Sequence, residues 1–296
     1  MRQSFGSSKW TVEKLLRVRQ YIEAYAKAMK NQYHFTTYYI DGFAGTGYVE
    51  LREMLGSEFA IQDGLDEVED AARNYLQGSA AQALEVDPPF DRYIFIENSD
   101  WRIQQLAELE LQYASRWNSV EIIPGDANQH IQRLCTNWNR SSDRGVVFLD
   151  PFGMSVEWRT LEAIAATQSL DLWYLIPISA TCRLLPRHRE VPEAWRPCLM
   201  RFFGTDSWQS EFYNRRTQTT LFDTVDVVER VADWQGIQEF ILDRLRHIFP
   251  AVADNPLVLT TDTGSPLFLL CFAVSNPNAT ASTLAIRIAR HILGHA

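Results

Sequence analysis

The chain reads as an α/β protein: a doubly wound sheet of five parallel strands, closed by a C-terminal antiparallel hairpin and carrying an inserted, mostly helical cap. Three observations predict this. Short β-branched and aromatic runs alternate with helical segments, the pattern of a parallel sheet covered on both faces. Several of those runs stop at an acidic residue followed by a glycine-rich loop or a helix. The last third breaks the alternation, with two apolar runs joined by a turn. Of the 296 residues, 46% are hydrophobic and 22% charged, ample for a large core. Disordered, collagen-like and coiled-coil readings are thereby excluded.

The elements follow in order. From Trp10 to about Asn31, Leu15, Leu16, Val18, Tyr21, Ile22, Tyr25 and Met29 recur at three- and four-residue spacing, with lysines and arginines in the gaps. That spacing predicts an amphipathic helix. Strands are expected at 36–40, 92–97, 120–123, 145–150 and 171–176, and helices at 79–86, 100–115, 127–139 and 157–168. A helix at 237–249 precedes strands at 257–261 and 267–274 around the turn at 262–266. The stretches 48–77 and 181–235 fall outside the alternation and read as insertions. The expected organisation is therefore an N-terminal helix and ligand-binding core at 1–180, a substrate-facing cap at 181–235, and a last crossover helix, closing hairpin and C-terminal helix at 236–296.

Cys135, Cys182, Cys198 and Cys271 lie far apart with no CxxC spacing, so neither a metal knuckle nor a disulfide framework is indicated. The six histidines are scattered; His291 and His295 share a helix face without a third ligand, and no metal is expected. The N-terminus lacks a signal-type apolar stretch, and the most apolar run, 172–180, is too short to span a bilayer. A reduced, cytoplasmic protein is the expectation.

The most informative segment is Asp41-Gly42-Phe43-Ala44-Gly45-Thr46-Gly47, at the end of the first strand. Glycines there let the backbone turn sharply and approach a ligand closely. A dinucleotide fingerprint counted from Gly45 would need a third glycine where Glu50 stands, and a phosphate loop would need a Gly-Lys-Ser/Thr ending. Both are absent, which disfavours a nucleotide-binding dehydrogenase. The segment resembles motif I of class I S-adenosylmethionine-dependent methyltransferases. That resemblance implies a Rossmann-like fold in which the strand-end carboxylate faces the amino-acid part of the cofactor.

The second strand ends in Glu97-Asn98, and an acid there can accept hydrogen bonds from both ribose hydroxyls. After the third strand comes Gly125-Asp126-Ala127-Asn128; by the same resemblance Asp126 meets the adenine amino group, and it can also cap the following helix. The fourth strand ends in Asp150-Pro151-Phe152-Gly153, over the crevice where doubly wound folds bind ligands. This tetrad is similar to the DPFG of tRNA guanosine-N2 dimethyltransferases, in which an acid and a proline-fixed carbonyl hold an exocyclic amine. Asp150, Pro151 and Phe152 are therefore the candidate catalytic set, with Phe152 stacking on the acceptor base; a proline-fixed turn in the cofactor pocket is the alternative. Asp87-Pro88-Pro89-Phe90 matches an amino-methyltransferase tetrad letter for letter. It falls between a helix and the start of a strand, on the wrong edge of the sheet.

The ensemble of 39–47, Gly78-Ser79-Ala80, 93–97, 125–128, 147–154, 171–175 and Arg201-Phe202-Phe203-Gly204 resembles the three-Cys-motif partner (TcmP) proteins, over about residues 10–275. The resemblance implies a methyltransferase-like fold and a partner protein that carries the three cysteines and is itself similar to radical S-adenosylmethionine enzymes.

The expected function is methyl transfer from S-adenosylmethionine to an amine, on a nucleobase of RNA or DNA. The cofactor contacts expected are Asp41, Gly42, Phe43, Ala44, Gly45, Thr46, Gly47, Glu97, Asn98, Asp126, Ala127 and Asp150. The alternative is a non-catalytic adaptor serving its partner. The net charge of −9 excludes a uniformly basic, polyanion-coating surface. The charge is unevenly spread: residues 50–91 hold 11 acids and two arginines, whereas 183–216 hold seven arginines and four acids. Arg183, Arg187 and Arg189 at the start of the cap are the expected contacts to a phosphate-bearing substrate.

Overall fold

The computed structural model describes residues 7–47, 78–219 and 224–294. The acidic insertion at 48–77 and His295 lie outside the described residues. Five parallel strands form the centre: β1 (Thr36–Asp41), β2 (Arg92–Glu97), β3 (Val120–Pro124), β4 (Asp143–Leu149) and β5 (Leu170–Ile176). A separate antiparallel pair follows, β6 (Tyr213–Thr219) and β7 (Thr224–Arg230). Next come the short β8 (Ala251–Val252), then β9 (Leu257–Thr260) and β10 (Pro266–Val274). The main sheet runs β3-β2-β1-β4-β5-β10, with β10 antiparallel to β5 and its outer edge taken by β9 and β8. The order reverses between β1 and β4, so a crevice opens at the carboxyl ends of those two strands.

Strand alternation divides the core into two layers. Tyr39, Phe148, Trp173 and Phe272 point to one face, where the N-terminal helix α1 (Ser7–Met29) and the C-terminal helix Ala279–Gly294 cover them. Ile40, Val147, Leu149 and Leu172 point to the other, under helices Ala127–Thr136, Trp158–Ala166 and Trp234–Ile248. Gly78 donates its N–H to Gly47 O at 2.8 Å, so the two ends of the 48–77 insertion meet. The spacing between β1 and β2 can therefore grow without disturbing the sheet.

Several expectations shift. The helix expected over 100–115 stops at Ala107, continues as a 3-10 turn at Glu108–Leu111 and resumes at Ala114–Trp117. The break seats Leu109 beneath Gly47, where a Cβ would stand 2.7 Å from its Cδ1. The cap is less helical than expected. Helices Arg196–Phe203 and Trp208–Phe212 are followed by the β6–β7 hairpin, whose sequence Thr224-Val225-Asp226-Val227-Val228 is rich in strand formers. Leu199, Phe202, Phe203, Trp208 and Phe212 join the core beside Trp158 and Ile237, so this segment shares the main core. Gly204 permits that approach: its φ is +65°, and a Cβ would lie 2.2 Å from the Trp158 ring.

The cations of α1 are not all in solvent-facing gaps. Lys14 is buried because positions 14, 18, 21 and 25 form one stripe of the helix and that stripe faces the sheet, and Arg17 is buried against the C-terminal helix, where its Nη1 donates to Ile292 O at 3.0 Å.

Candidate functional site at the carboxyl edge

The sheet brings the four expected acids to one edge. Asp41 ends β1 in register with Phe148, two residues before Asp150. Glu97 ends β2 opposite Pro124, two residues before Asp126. Their proximity is thus a consequence of strand register.

Asp41 is fully buried. Its Oδ1 accepts the Phe43 N–H at 3.1 Å, while Oδ2 makes no hydrogen bond of good geometry among the described residues, although the Tyr39 and Ser79 hydroxyls lie beside the carboxyl. Burial raises the Asp41 carboxyl to about 7; the Ser79 hydroxyl and the Phe43 amide oppose that shift, Asp150 adds to it and Lys14 opposes it. An orphaned acceptor of this kind is costly unless a donor arrives.

Glu97 is a clamp. Its Oε2 accepts the Gly45 N–H at 3.0 Å, and its Oε1 accepts the Asn98 and Ser99 N–H groups at 3.0 Å each, with Arg102 Nη1 at 3.4 Å. One carboxylate so ties the glycine loop to the loop after β2. Gly42 fits where any side chain would collide, since a Cβ would be 2.7 Å from Leu149 Cδ2. Gly45 and Gly47 adopt φ of +62° and +77°, a region that favours glycine.

Asp126 caps the Ala127–Thr136 helix, its side chain accepting the Gln129 N–H at 3.0 Å. Glu97, Asn98, Asp126 and Ala127 share a cavity of about 120 Å³ with Gly42, Phe43 and Phe152. That is below the roughly 300 Å³ at which small-molecule sites begin. Arg102 helps to narrow it by laying its guanidinium 4.8 Å from the centre of the exposed Phe152 ring. Phe152, expected against an acceptor base, thus lines the same cavity as the expected cofactor residues.

Asp150 forms an ion pair with Lys14, whose side chain is 8% exposed against 23% for Asp150. The Lys14 ammonium also lies 5.1 Å from the Trp10 ring centre. Lys14 is the site residue that motif reasoning missed, and the helical stripe through Val18 and Tyr21 was its signal. Asn128 is a second: its amide donates to Ser155 O at 2.9 Å and its Oδ1 accepts from Glu157 N at 2.9 Å and Thr160 Oγ1 at 2.8 Å. It pins the loop that follows Asp150-Pro151-Phe152-Gly153.

Arg183, Arg187 and Arg189 are all exposed, and no ion pair engages them among the described residues. Arg183 ends the helix Ile178–Arg183 that leaves the carboxyl end of β5, and its Nη1 donates to Ser179 Oγ at 3.4 Å. Asp87-Pro88-Pro89-Phe90 lies at the amino edge, ahead of β2, with Phe90 buried. Among the described residues no three His, Cys, Asp or Glu side chains converge as a metal site, and no helix is long and apolar enough to cross a membrane.

No protein-family model and no curated protein matches the chain. Solved structures do. A Legionella pneumophila protein, LPL1258 of family DUF519, aligns with 96% of this chain and 90% of its own at 13% identity, with a TM-score of 0.50. Spermidine synthase of Thermotoga maritima aligns with 83% and 56% at 12% identity, TM-score 0.36. The glycopeptide N-methyltransferase MtfA, solved with S-adenosyl-L-homocysteine, aligns with 86% and 89% at 9% identity, TM-score 0.30. Strand order and the first of these likenesses define the class: a Rossmann-like α/β fold, with a mainly parallel, doubly wound sheet. None of these three is described as a three-Cys-motif partner protein.

Proposed function

We propose that the protein is an S-adenosylmethionine-dependent methyltransferase acting on an amine, with a nucleobase of RNA or DNA as the acceptor class. The observation that carries this reading is the buried, unpartnered Oδ2 of Asp41 at the end of β1. It fits a cationic donor, as the amino group of the cofactor's methionine part would be.

When bound, S-adenosylmethionine supplies an electrophilic methyl group. Asp41 would hold the cofactor's ammonium, Glu97 its ribose hydroxyls and Asp126 its adenine amino group, with the backbone of 42–47 beneath it. Asp150 would accept a hydrogen bond from the acceptor amine and orient its lone pair, with Pro151 fixing the adjacent carbonyl. Positioning of this kind supplies much of the acceleration in such transfers. Lys14 keeps the Asp150 carboxylate in place before the acceptor arrives. The exposed Arg183, Arg187 and Arg189 would meet the phosphates of a polynucleotide.

The Lys14–Asp150 ion pair also favours a second reading, a methyltransferase-like adaptor that binds cofactor and serves a three-cysteine, radical-S-adenosylmethionine-like partner, because the acid of the fourth strand is already engaged. Titration with S-adenosylmethionine followed by transfer of labelled methyl to total RNA, DNA or the partner separates the readings. Binding with transfer lost in Asp150→Ala supports the enzyme, and binding without transfer supports the adaptor. Folded protein that binds no cofactor overturns both.

A further inference from the structure

A second, larger recess lies at the opposite edge of the sheet. Its volume is about 580 Å³, within the range of small-molecule sites, and it sits between α1, the C-terminal helix and the amino ends of β4 and β5. Tyr21, Tyr25 and Met29 line one side, Leu284 and Ile288 another.

Asp171 is set into this apolar wall. It is 7% exposed, and its Oδ2 accepts the Tyr21 hydroxyl at 2.6 Å. No cation is ion-paired with it among the described residues. Buried carboxylates are normally paired, and the lack of a cation leaves this one raised by burial to about 7, against the opposing Tyr21 bond. Arg144, the other charged residue of the wall, is committed to its own loop. Its Nη1 donates to Arg140 O at 2.6 Å and to Asp143 O at 2.7 Å, and its guanidinium lies 4.0 Å from the Phe35 ring centre.

We propose that this cavity binds a small primary ammonium compound with an apolar body, its ammonium on Asp171 and its body against Tyr25 and the aliphatic side chains of the C-terminal helix. The site is separate from the carboxyl-edge site: Asp171 pairs in register with Val146, four residues before Asp150, or ~13 Å along the strand. It does not depend on the methyl-transfer reading, since the amine here is a ligand and not an acceptor. It is nonetheless connected to that site, because α1 contacts Asp150 through Lys14 and Asp171 through Tyr21, two helical turns later.

The test is calorimetric titration of the full chain at pH 8 with n-hexylamine and phenethylamine, with 1-hexanol and hexanoate as controls. Both amines bind and the controls do not; Asp171→Asn weakens the amines at least tenfold. Ala285→Trp, which fills the cavity from the C-terminal helix and leaves residue 171 an aspartate, abolishes binding. Affinity falls between pH 8 and pH 6 as Asp171 takes up a proton. Tyr21 and Tyr25 do not titrate there, since burial pushes both hydroxyls further up. Folded protein that binds neither amine, equal binding of hexanol, or undiminished binding by Asp171→Asn overturns the proposal. Should Asp171→Asn fail to fold, undiminished binding by Ala285→Trp overturns it equally.

Discussion

Lys14 and Asp150 are 136 residues apart in sequence and form a largely buried ion pair at the mouth of the crevice. The contact joins the N-terminal helix to the loop after β4, and so couples the covering of the sheet to the residue expected to orient an acceptor. Burying an ammonium costs free energy that only a close counter-charge offsets. Lys14 therefore has a reason to be where it is that its helix alone does not supply.

Removing one member of that pair should cost more than removing both. Lys14→Met keeps the apolar stem but leaves Asp150 without its cation, and about 2 kcal/mol of stability should be lost. That is below the 3–5 kcal/mol of a fully buried pair because Asp150 is partly exposed. Urea melts of Lys14→Met, Asp150→Asn and the double variant give the coupling. Simple additivity would show that the two side chains do not stabilise one another.

Glu97 accepts three backbone N–H groups, from Gly45, Asn98 and Ser99. Glu97→Gln replaces one acceptor oxygen with a donor and turns attraction into repulsion at one of the two loops. A loss of about 1.5–3 kcal/mol in stability is expected, as for hydrogen bonds to charged groups. S-adenosylmethionine affinity should fall at least tenfold. Titration calorimetry beside a thermal melt checks both, and wild-type affinity in the variant would remove Glu97 from the cofactor site.

Among the described residues two carboxyls, Asp41 and Asp171, are raised to about 7 by burial. A carboxyl whose folded value lies above its unfolded one stabilises the fold at low pH and loses that contribution as pH climbs through 7. Asp171→Asn keeps an acceptor for the Tyr21 hydroxyl and cannot ionise. Its melting temperature relative to wild type should therefore rise from pH 5 to pH 8, by about 2 °C or more. Cofactor binding should move the other way in wild type, strengthening from pH 6 to pH 8 as Asp41 becomes charged; flat profiles in both experiments would contradict the burial argument.

Gly204 offers a variant remote from the four acids. An alanine there faces both a left-handed backbone and the Trp158 ring at 2.2 Å. Gly204→Ala should destabilise by more than the ~1 kcal/mol of the backbone strain alone. In chemical denaturation the midpoint should drop, while any residual folded protein keeps its cofactor affinity. An unchanged midpoint would mean that the cap does not press on the Trp158–Ala166 helix.

The sequence by itself determined the parallel sheet, the closing hairpin and the four acids at its carboxyl edge. Strand alternation and glycine-rich strand ends are local signals, and each acid sits next to one. It also sufficed to set aside Asp87-Pro88-Pro89-Phe90, because a strand that begins at Arg92 leaves that tetrad at the amino edge. Only the tertiary structure decided what faces those acids. Lys14 reads as one more cation on an amphipathic helix until the angle at which α1 crosses the sheet sets its stripe against Asp150. Phe152 joins the Glu97 and Asp126 cavity through Arg102, a contact set by loop geometry that no motif encodes. Asp171 reads as the first residue of a buried strand, and its place in a cavity wall follows from the C-terminal helix packing beside α1, more than a hundred residues away in sequence. Periodicity fixes which face a residue takes; the docking of distant elements fixes what it meets there.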